Sequence, residues 1–164
     1  MLYESVFRAL DEKNIRYLVV GGLAVVLHGF LRFTADLDII PSFASDDLSK
    51  LMGTLQELGY KPRLPVDPKD FLDPAKRGHW IKEKNMRVFS FIHPDKPLEM
   101  IDLFVDSPID FEKAYKNKQI FTSKQINIPV PAIEDMIRLK ELAGRPQDIE
   151  DLEALREINE KSKQ

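Results

Sequence analysis

The stretch Val19–Pro41, VVGGLAVVLHGFLRFTADLDIIP, constrains the chain more than any other, because it places two strand patterns and a helix pattern around glycines and acids. A β-branched apolar run ends at Gly21-Gly22, and the helix-compatible LAVVLH follows. Backbone N–H groups at such a helix start can face an anion with no Cβ in the way, which makes a seat for a triphosphate. After Arg32 and Thr34 comes DLDII, where the two-residue strand period puts Asp36 and Asp38 on one face. Carboxylates placed side by side and partly buried raise each other's pKa. A hard divalent ion such as Mg²⁺, or Mn²⁺ in its place, takes oxygen ligands and keeps both ionised. Taken singly, Gly-Gly also reads as a tight turn and Asp-x-Asp as a solvated strand edge. The order in which they occur gives them their meaning: strand, Gly-Gly, helix, basic residue, Asp-x-Asp strand.

That order resembles the signature of the DNA polymerase β-like nucleotidyltransferase superfamily. The fuller wording, GGLAVVLHG from Gly21 to Gly29 followed by RFTADLD from Arg32 to Asp38, is similar to the small bacterial branch that includes the AbiEii-type toxin transferases. The resemblance implies an α/β nucleotidyltransferase fold, a mixed β-sheet with flanking helices and a C-terminal helical hairpin. It also implies transfer of a nucleoside monophosphate from an NTP to an acceptor hydroxyl, with Asp36 and Asp38 as metal ligands. Gly21, Gly22, Arg32 and Thr34 would then meet the nucleotide, and a third carboxylate would stand on a later strand. For the acceptor, the toxin-like resemblance implies RNA, a tRNA end among the candidates, and an antitoxin protein as partner. Similarity in size and motif to lincosamide-type antibiotic nucleotidyltransferases implies a drug hydroxyl instead. A non-catalytic nucleotide-binding or partner-binding protein is the third reading, but such a module has no reason to keep three metal acids.

Composition narrows the setting. At 164 residues the chain is expected to be one domain, 1–164, with a core over 1–107 and a C-terminal hairpin and helices over 108–160. It has no cysteine, which excludes thiol catalysis and thiolate zinc sites and suits a reducing cytoplasm. Glu4 and Arg8 interrupt the apolar pattern at the start, which reads as an amphipathic helix over Leu2–Glu12 rather than a signal peptide. No apolar run approaches membrane-spanning length, so no membrane partner is expected. A net charge of −3 gives no global field for nucleic acid, so an RNA partner needs a local basic patch.

The rest of the chain supplies supports and two more candidates. Strands are expected over Arg16–Val20, Met86–Ile92 and Leu98–Val105, the last two joined by the turn HPDKP. Helices are expected after Ser45-Asp46-Asp47 and over DFEKAY, with a short one over Asp67–Arg77, and QIFTSKQINIPV reads as a small hairpin of scaffold. Asp102 lies within the strand LEMIDLFVD, where an unpaired carboxylate is costly. It reads either as a salt bridge to a neighbouring cation or, with the resemblance, as the third metal acid; Glu99 points to the opposite face and Asp106 sits at the strand end. His28 reads as a helix-end residue bonding terminal carbonyls. Arg32 suits a phosphate or an ion pair with Asp36 or Asp38, and Trp80 suits packing or stacking on a base. Two helices, 131–143 and 146–159, flank the C-cap glycine Gly144 and form an antiparallel hairpin, beyond which the tail EKSKQ should fray. Helical projection puts Lys140 on the apolar face of the first and Asp148 and Asp151 on that of the second. The lysine pairs with those acids or reaches the triphosphate, and the similarity of the KELAGRPQD segment to late AbiEii-type motifs implies the nucleotide role.

Overall fold

A computed structural model describes residues 1–164. Its centre is a five-stranded mixed sheet in the order β1-β2-β5-β4-β3, formed by β1 (Tyr17–Val20), β2 (Leu37–Pro41), β3 (Lys61–Pro62), β4 (Val88–His93) and β5 (Lys96–Phe104). β2 runs antiparallel to β1 and parallel to β5, while β4 is antiparallel to both β5 and β3. This is the α/β architecture expected, including the C-terminal helical hairpin. The two-residue strand β3 lies outside the strands expected from the sequence.

Strand alternation sorts the two faces of the sheet. On β5, Ile101 and Leu103 are wholly buried while Met100, Asp102 and Phe104 are half-buried on the other side. Against the buried side lie α1 (Glu4–Glu12), with Val6, Phe7 and Leu10 inward, and α3 (Ser45–Glu57), with Leu48, Leu51, Met52 and Leu55 inward at helical spacing. Glu99 shares that side, as its strand period requires, yet it is buried: it accepts hydrogen bonds from the Tyr3 N–H and the Tyr60 hydroxyl and has Lys96 at 3.8 Å. Burial at that price is tolerable because the carboxylate is bonded on both oxygens.

The segment after the proline-rich loop departs from expectation. In place of one short helix over 67–77 there is a 3₁₀ turn (Pro68–Leu72) followed by α4 (Pro74–Lys84). The cause is a repeated Asp-Pro step. Asp67 accepts from the Lys69 N–H and Asp73 from the Ala75 N–H, each at 2.9 Å, with proline opening the turn that follows. The longer helix carries Trp80 into the core, where it stacks on Phe89 at 5.3 Å between ring centroids and is 6 % exposed, so it is not free to stack on a base.

Past α5 (Phe111–Lys116), β6 (Gln119–Ser123) and β7 (Ile126–Val130) form the expected hairpin, with Ile126, Ile128 and Val130 buried. His28 is the C-cap residue of its helix, but its imidazole does not bond that helix's carbonyls. Its Nε2 lies 2.9 Å from the Pro131 carbonyl oxygen, its ring meets the edge of Phe121, and burial pushes its pKa down. The histidine thereby ties the end of α2 (Gly21–Leu27) to the entry of α6 (Ile133–Ala143). α6 ends at Gly144 in the left-handed conformation, and α7 (Pro146–Ser162) begins with an Arg145–Asp148 capping box. The tail expected to fray from Glu160 continues the helix to Ser162. No helix is long and apolar enough to cross a membrane.

Candidate active site

Sheet register brings the acids together. Asp38 on β2 stands directly beside Asp102 on β5 in the parallel pair, and Val20 at the end of β1 faces Asp38 from the other side. The chain turns into α2 at that point, so Gly21 lies against Asp38: a Cβ on Gly21 would sit 2.0 Å from Asp38 Oδ2. Gly21 also has φ +67°, which only glycine adopts without strain. Gly22 is filled from another direction, a Cβ there lying 2.6 Å from Thr34 Oγ1 and 2.8 Å from Arg32 Nη2. Gly21, Gly22, Arg32, Thr34, Asp38 and Asp102 thus meet at one end of the sheet.

Asp36 and Asp38 differ in setting, although Asp36 lies near enough to push up both Asp38 and Asp102. β2 starts at Leu37, so Asp36 is exposed and just ahead of the strand, while Asp38 is half-buried within it. Tyr3 fixes this approach. Its hydroxyl donates to the Ala35 carbonyl oxygen at 2.6 Å and accepts from the Met100 N–H at 2.9 Å, linking the residue before Asp36 to the strand that carries Asp102. Burial pushes the Tyr3 phenol up to about 12, so it stays a donor at any working pH. Tyr3→Phe is expected to lower the unfolding free energy by about 1–2 kcal/mol, because the Met100 N–H and Ala35 carbonyl lose a shared partner; urea denaturation measures this.

The electrostatics favour a cation at the acids. Asp38 is pushed up to about 7, first by burial, then by Asp102 and Asp36, with Lys140 and Arg145 pulling the other way and no hydrogen bond helping its charged form. Asp102 is also raised, again chiefly by burial, although Ser90 Oγ donates to its Oδ1 at 2.5 Å and Arg63 opposes the shift. The salt bridge considered for Asp102 is absent, and its direct partner is a serine. As the side chains stand, no three His, Cys, Asp or Glu residues converge on one point. The donor set nevertheless fits a hard divalent ion: it is oxygen-only and partly buried, and a single hydrogen bond, from Ser90 to Asp102, is all that offsets its charge.

The C-terminal hairpin supplies the basic side. Arg32 makes a bidentate pair with Asp151, Nε at 2.8 Å and Nη2 at 2.9 Å, instead of the expected pair with Asp36 or Asp38. Lys140 is 5 % exposed and lies 2.8 Å from Asp151 and 3.2 Å from Asp148, and Arg145 Nε reaches Asp148 at 3.0 Å. Three cations therefore share two fully buried acids, leaving one positive charge in excess beside Gly22 and Asp38. Sequence reasoning put Lys140, Asp148 and Asp151 on facing sides but missed Arg32 as their partner, and it missed Ser90 and Arg63 altogether. The one available signal was the alternation of β4, which puts Ser90 on the side opposite the buried Phe89 and Phe91.

Residues 3–162 match the profile of a family described as nucleotidyltransferase of unknown function (DUF6036). Among solved structures, the lincosamide antibiotic adenylyltransferase LnuA, lincomycin-bound, is similar at TM-score 0.61 and 17% identity, with 93% of each chain covered. ANT(2'')-Ia in complex with adenylyl-2''-tobramycin gives TM-score 0.58 and 16% identity over 94% of this chain and 85% of that one. An antigenic nucleotidyltransferase-like protein from Paracoccidioides brasiliensis gives 0.57 and 17% over 92% and 72%. At these identities the likeness is one of fold. No curated protein matches the sequence.

Proposed function

The chain belongs to the DUF6036 family of nucleotidyltransferases, and from that premise we propose that it moves a nucleoside monophosphate from an NTP to an acceptor hydroxyl using Asp36, Asp38 and Asp102. The observation that carries this reading is the register pair Asp38–Asp102, with Asp38 raised to about 7 and held by no hydrogen bond. Asp36 and Asp38, with Asp102 completing the set, would hold Mg²⁺ or Mn²⁺. Such an ion, when bound, neutralises the carboxylates and polarises phosphate oxygens. Backbone N–H groups of Gly21 and Gly22 orient the triphosphate, Thr34 adds a hydroxyl, and Arg32 and Lys140 offset its charge. The acceptor oxygen bonds to the α-phosphorus, the bond to the β-phosphate bridging oxygen breaks, and pyrophosphate leaves. The hydroxyl proton goes to Asp102, whose Oδ1 accepts from Ser90 while its Oδ2 has no hydrogen-bond partner.

Two acceptors compete. The AbiEii-type resemblance supports RNA, with an antitoxin partner restraining the enzyme. The fold likeness to the lincosamide and tobramycin-modifying enzymes supports a small molecule. Incubation with each labelled NTP, Mg²⁺ and total cell RNA separates them: label in RNA supports the first, and turnover only with an added small molecule supports the second. Alanine at Asp36 or Asp102 should abolish transfer with folding intact, and retained Mg²⁺-dependent turnover in both would sink the assignment.

Lys140 provides an independent check. Lys140→Ala is expected to weaken NTP binding about tenfold with modest loss of stability, because Arg145 still pairs with Asp148 and Arg32 with Asp151. Asp148→Ala should mainly destabilise the fold, since it strips Lys140 and the Arg145 cap together. Equal NTP affinity by calorimetry in Lys140→Ala and the parent would reduce Lys140 to a structural ion pair.

A further inference from the structure

The row that holds Asp38 and Asp102 does not stop there. Ser90 on β4 lies opposite Asp102, and the Arg63 N–H donates to the Ser90 carbonyl oxygen at 2.9 Å, which extends the pairing of β3 by one residue. Strand alternation then places the Arg63 side chain on the same sheet face as Ser90, Asp102 and Asp38. Arg8, Arg16, Arg32, Arg145 and Arg156 are ion-paired, whereas Arg63, like Arg77, Arg87 and Arg138, is not. Between these strands opens a cleft of about 270 Å³ lined by Arg63, Leu64, Val88, Phe89 and Ser90. The surrounding segment, 61–87, carries eight Lys and Arg against four Asp and Glu, in a chain whose net charge is −3.

Two positive regions therefore flank the acids. One, built from Arg32, Lys140 and Arg145, lies on the Gly21-Gly22 side, where the triphosphate belongs. The other is Arg63, whose backbone at strand spacings of about 4.8 Å stands roughly 10 Å from that of Asp102 and roughly 15 Å from that of Asp38. It is on the far side of Asp102, too distant to serve phosphates seated at Gly22. Resting on the transferase reading above, we infer that this cleft receives the acceptor and that Arg63 holds an anionic phosphate of it about 10 Å from the hydroxyl attacking beside Asp102. The volume suits one sugar-phosphate or nucleotide unit, with Leu64 and Val88 packing against its apolar edge. A guanidinium with no carboxylate partner also repels a polycation, so this side of the site discriminates against aminoglycoside-like acceptors.

Calorimetry on the full chain, saturated with Mg²⁺ and α,β-methylene ATP, tests this with four probes: a tetraribonucleotide, ribose 5-phosphate, ribose and tobramycin. At least one phosphate-bearing probe is expected to bind about tenfold more tightly than ribose or tobramycin. Arg63→Ala should lose that advantage, Arg63→Lys should regain part of it, and Arg63→Glu should favour tobramycin, all with unchanged affinity for the ATP analogue. A tight tetraribonucleotide with weak ribose 5-phosphate assigns the phosphate to an RNA chain, and the reverse assigns it to a small sugar phosphate; either supports the inference. Equal binding of the phosphate probes in the parent and Arg63→Ala, or no preference for them over tobramycin, overturns it. The transferase reading is scored separately by the analogue. A chain that ignores the analogue yet binds phosphate through Arg63 loses that reading and keeps the anion site, whereas one that binds the analogue and ignores the probes does the opposite.

Discussion

Asp38→Asn is expected to end nucleotidyl transfer while making the metal-free chain more stable above pH 7. Asp38 is raised to about 7 in the fold by burial and by two neighbouring acids, against about 3.9 in an unfolded chain. Below about pH 4 the group is protonated in both states and adds nothing. Between these values the unfolded chain ionises first and binds fewer protons, so stability falls as pH rises, and the full penalty is present above about 7. That penalty is on the order of 2–4 kcal/mol, and asparagine of the same shape does not incur it. Thermal melts in EDTA at pH 4 and pH 8 check the prediction: the variant should melt higher than the parent at pH 8 and close to it at pH 4. Adding Mg²⁺ at pH 8 should raise the parent's Tm and leave the variant nearly unmoved. A parent more stable than Asp38→Asn at pH 8 without metal would mean that the carboxylate is compensated by the fold itself.

Asp151→Ala is expected to be the most damaging change outside the sheet. Asp151 is 1 % exposed and holds the bidentate Arg32 and the Lys140 ammonium at once. Its removal leaves Lys140 buried with only Asp148 and frees Arg32 from the position it holds over Gly22. Breaking a buried pair in this way costs about 3–5 kcal/mol. Asp151→Asn keeps the shape and one acceptor, so it should retain more stability while still loosening Arg32. Urea denaturation with NTP titration separates the effects. If Asp151→Asn folds well and binds NTP with parental affinity, Arg32 does not depend on the hairpin for its place.

The setting of Asp36 and Asp38, by contrast, is only half legible in the sequence. The two-residue period is right for a strand, but the strand begins one residue later than the acids suggest, because Ala35 is held by Tyr3 and not by a neighbouring strand. The split of the expected 67–77 helix into a 3₁₀ turn and a helix over Pro74–Lys84 had a readable signal in the two Asp-Pro steps, and the helix's extension past Arg77 did not. It was masked by the charged run around Trp80, whose apolar face shows only when Phe71 and Phe89 are in place.

What the sequence determined by itself is what local stereochemistry controls. Gly21 and Gly22 had to be small where a strand turns into a helix. Asp102 had to take the face opposite Ile101 and Leu103, and Lys140, Asp148 and Asp151 had to lie on the buried sides of two helices joined by a left-handed Gly144. Only the tertiary structure decided which of these residues meet. Asp102 reaches Asp38 because β5 inserts parallel beside β2, Arg32 reaches Asp151 across 119 residues, and Arg63 joins the row because β3 takes the sheet edge. Periodicity fixes the side of an element that a residue takes. Which element it faces depends on strand order and crossover, set by the burial of the whole core and by no short stretch of the chain.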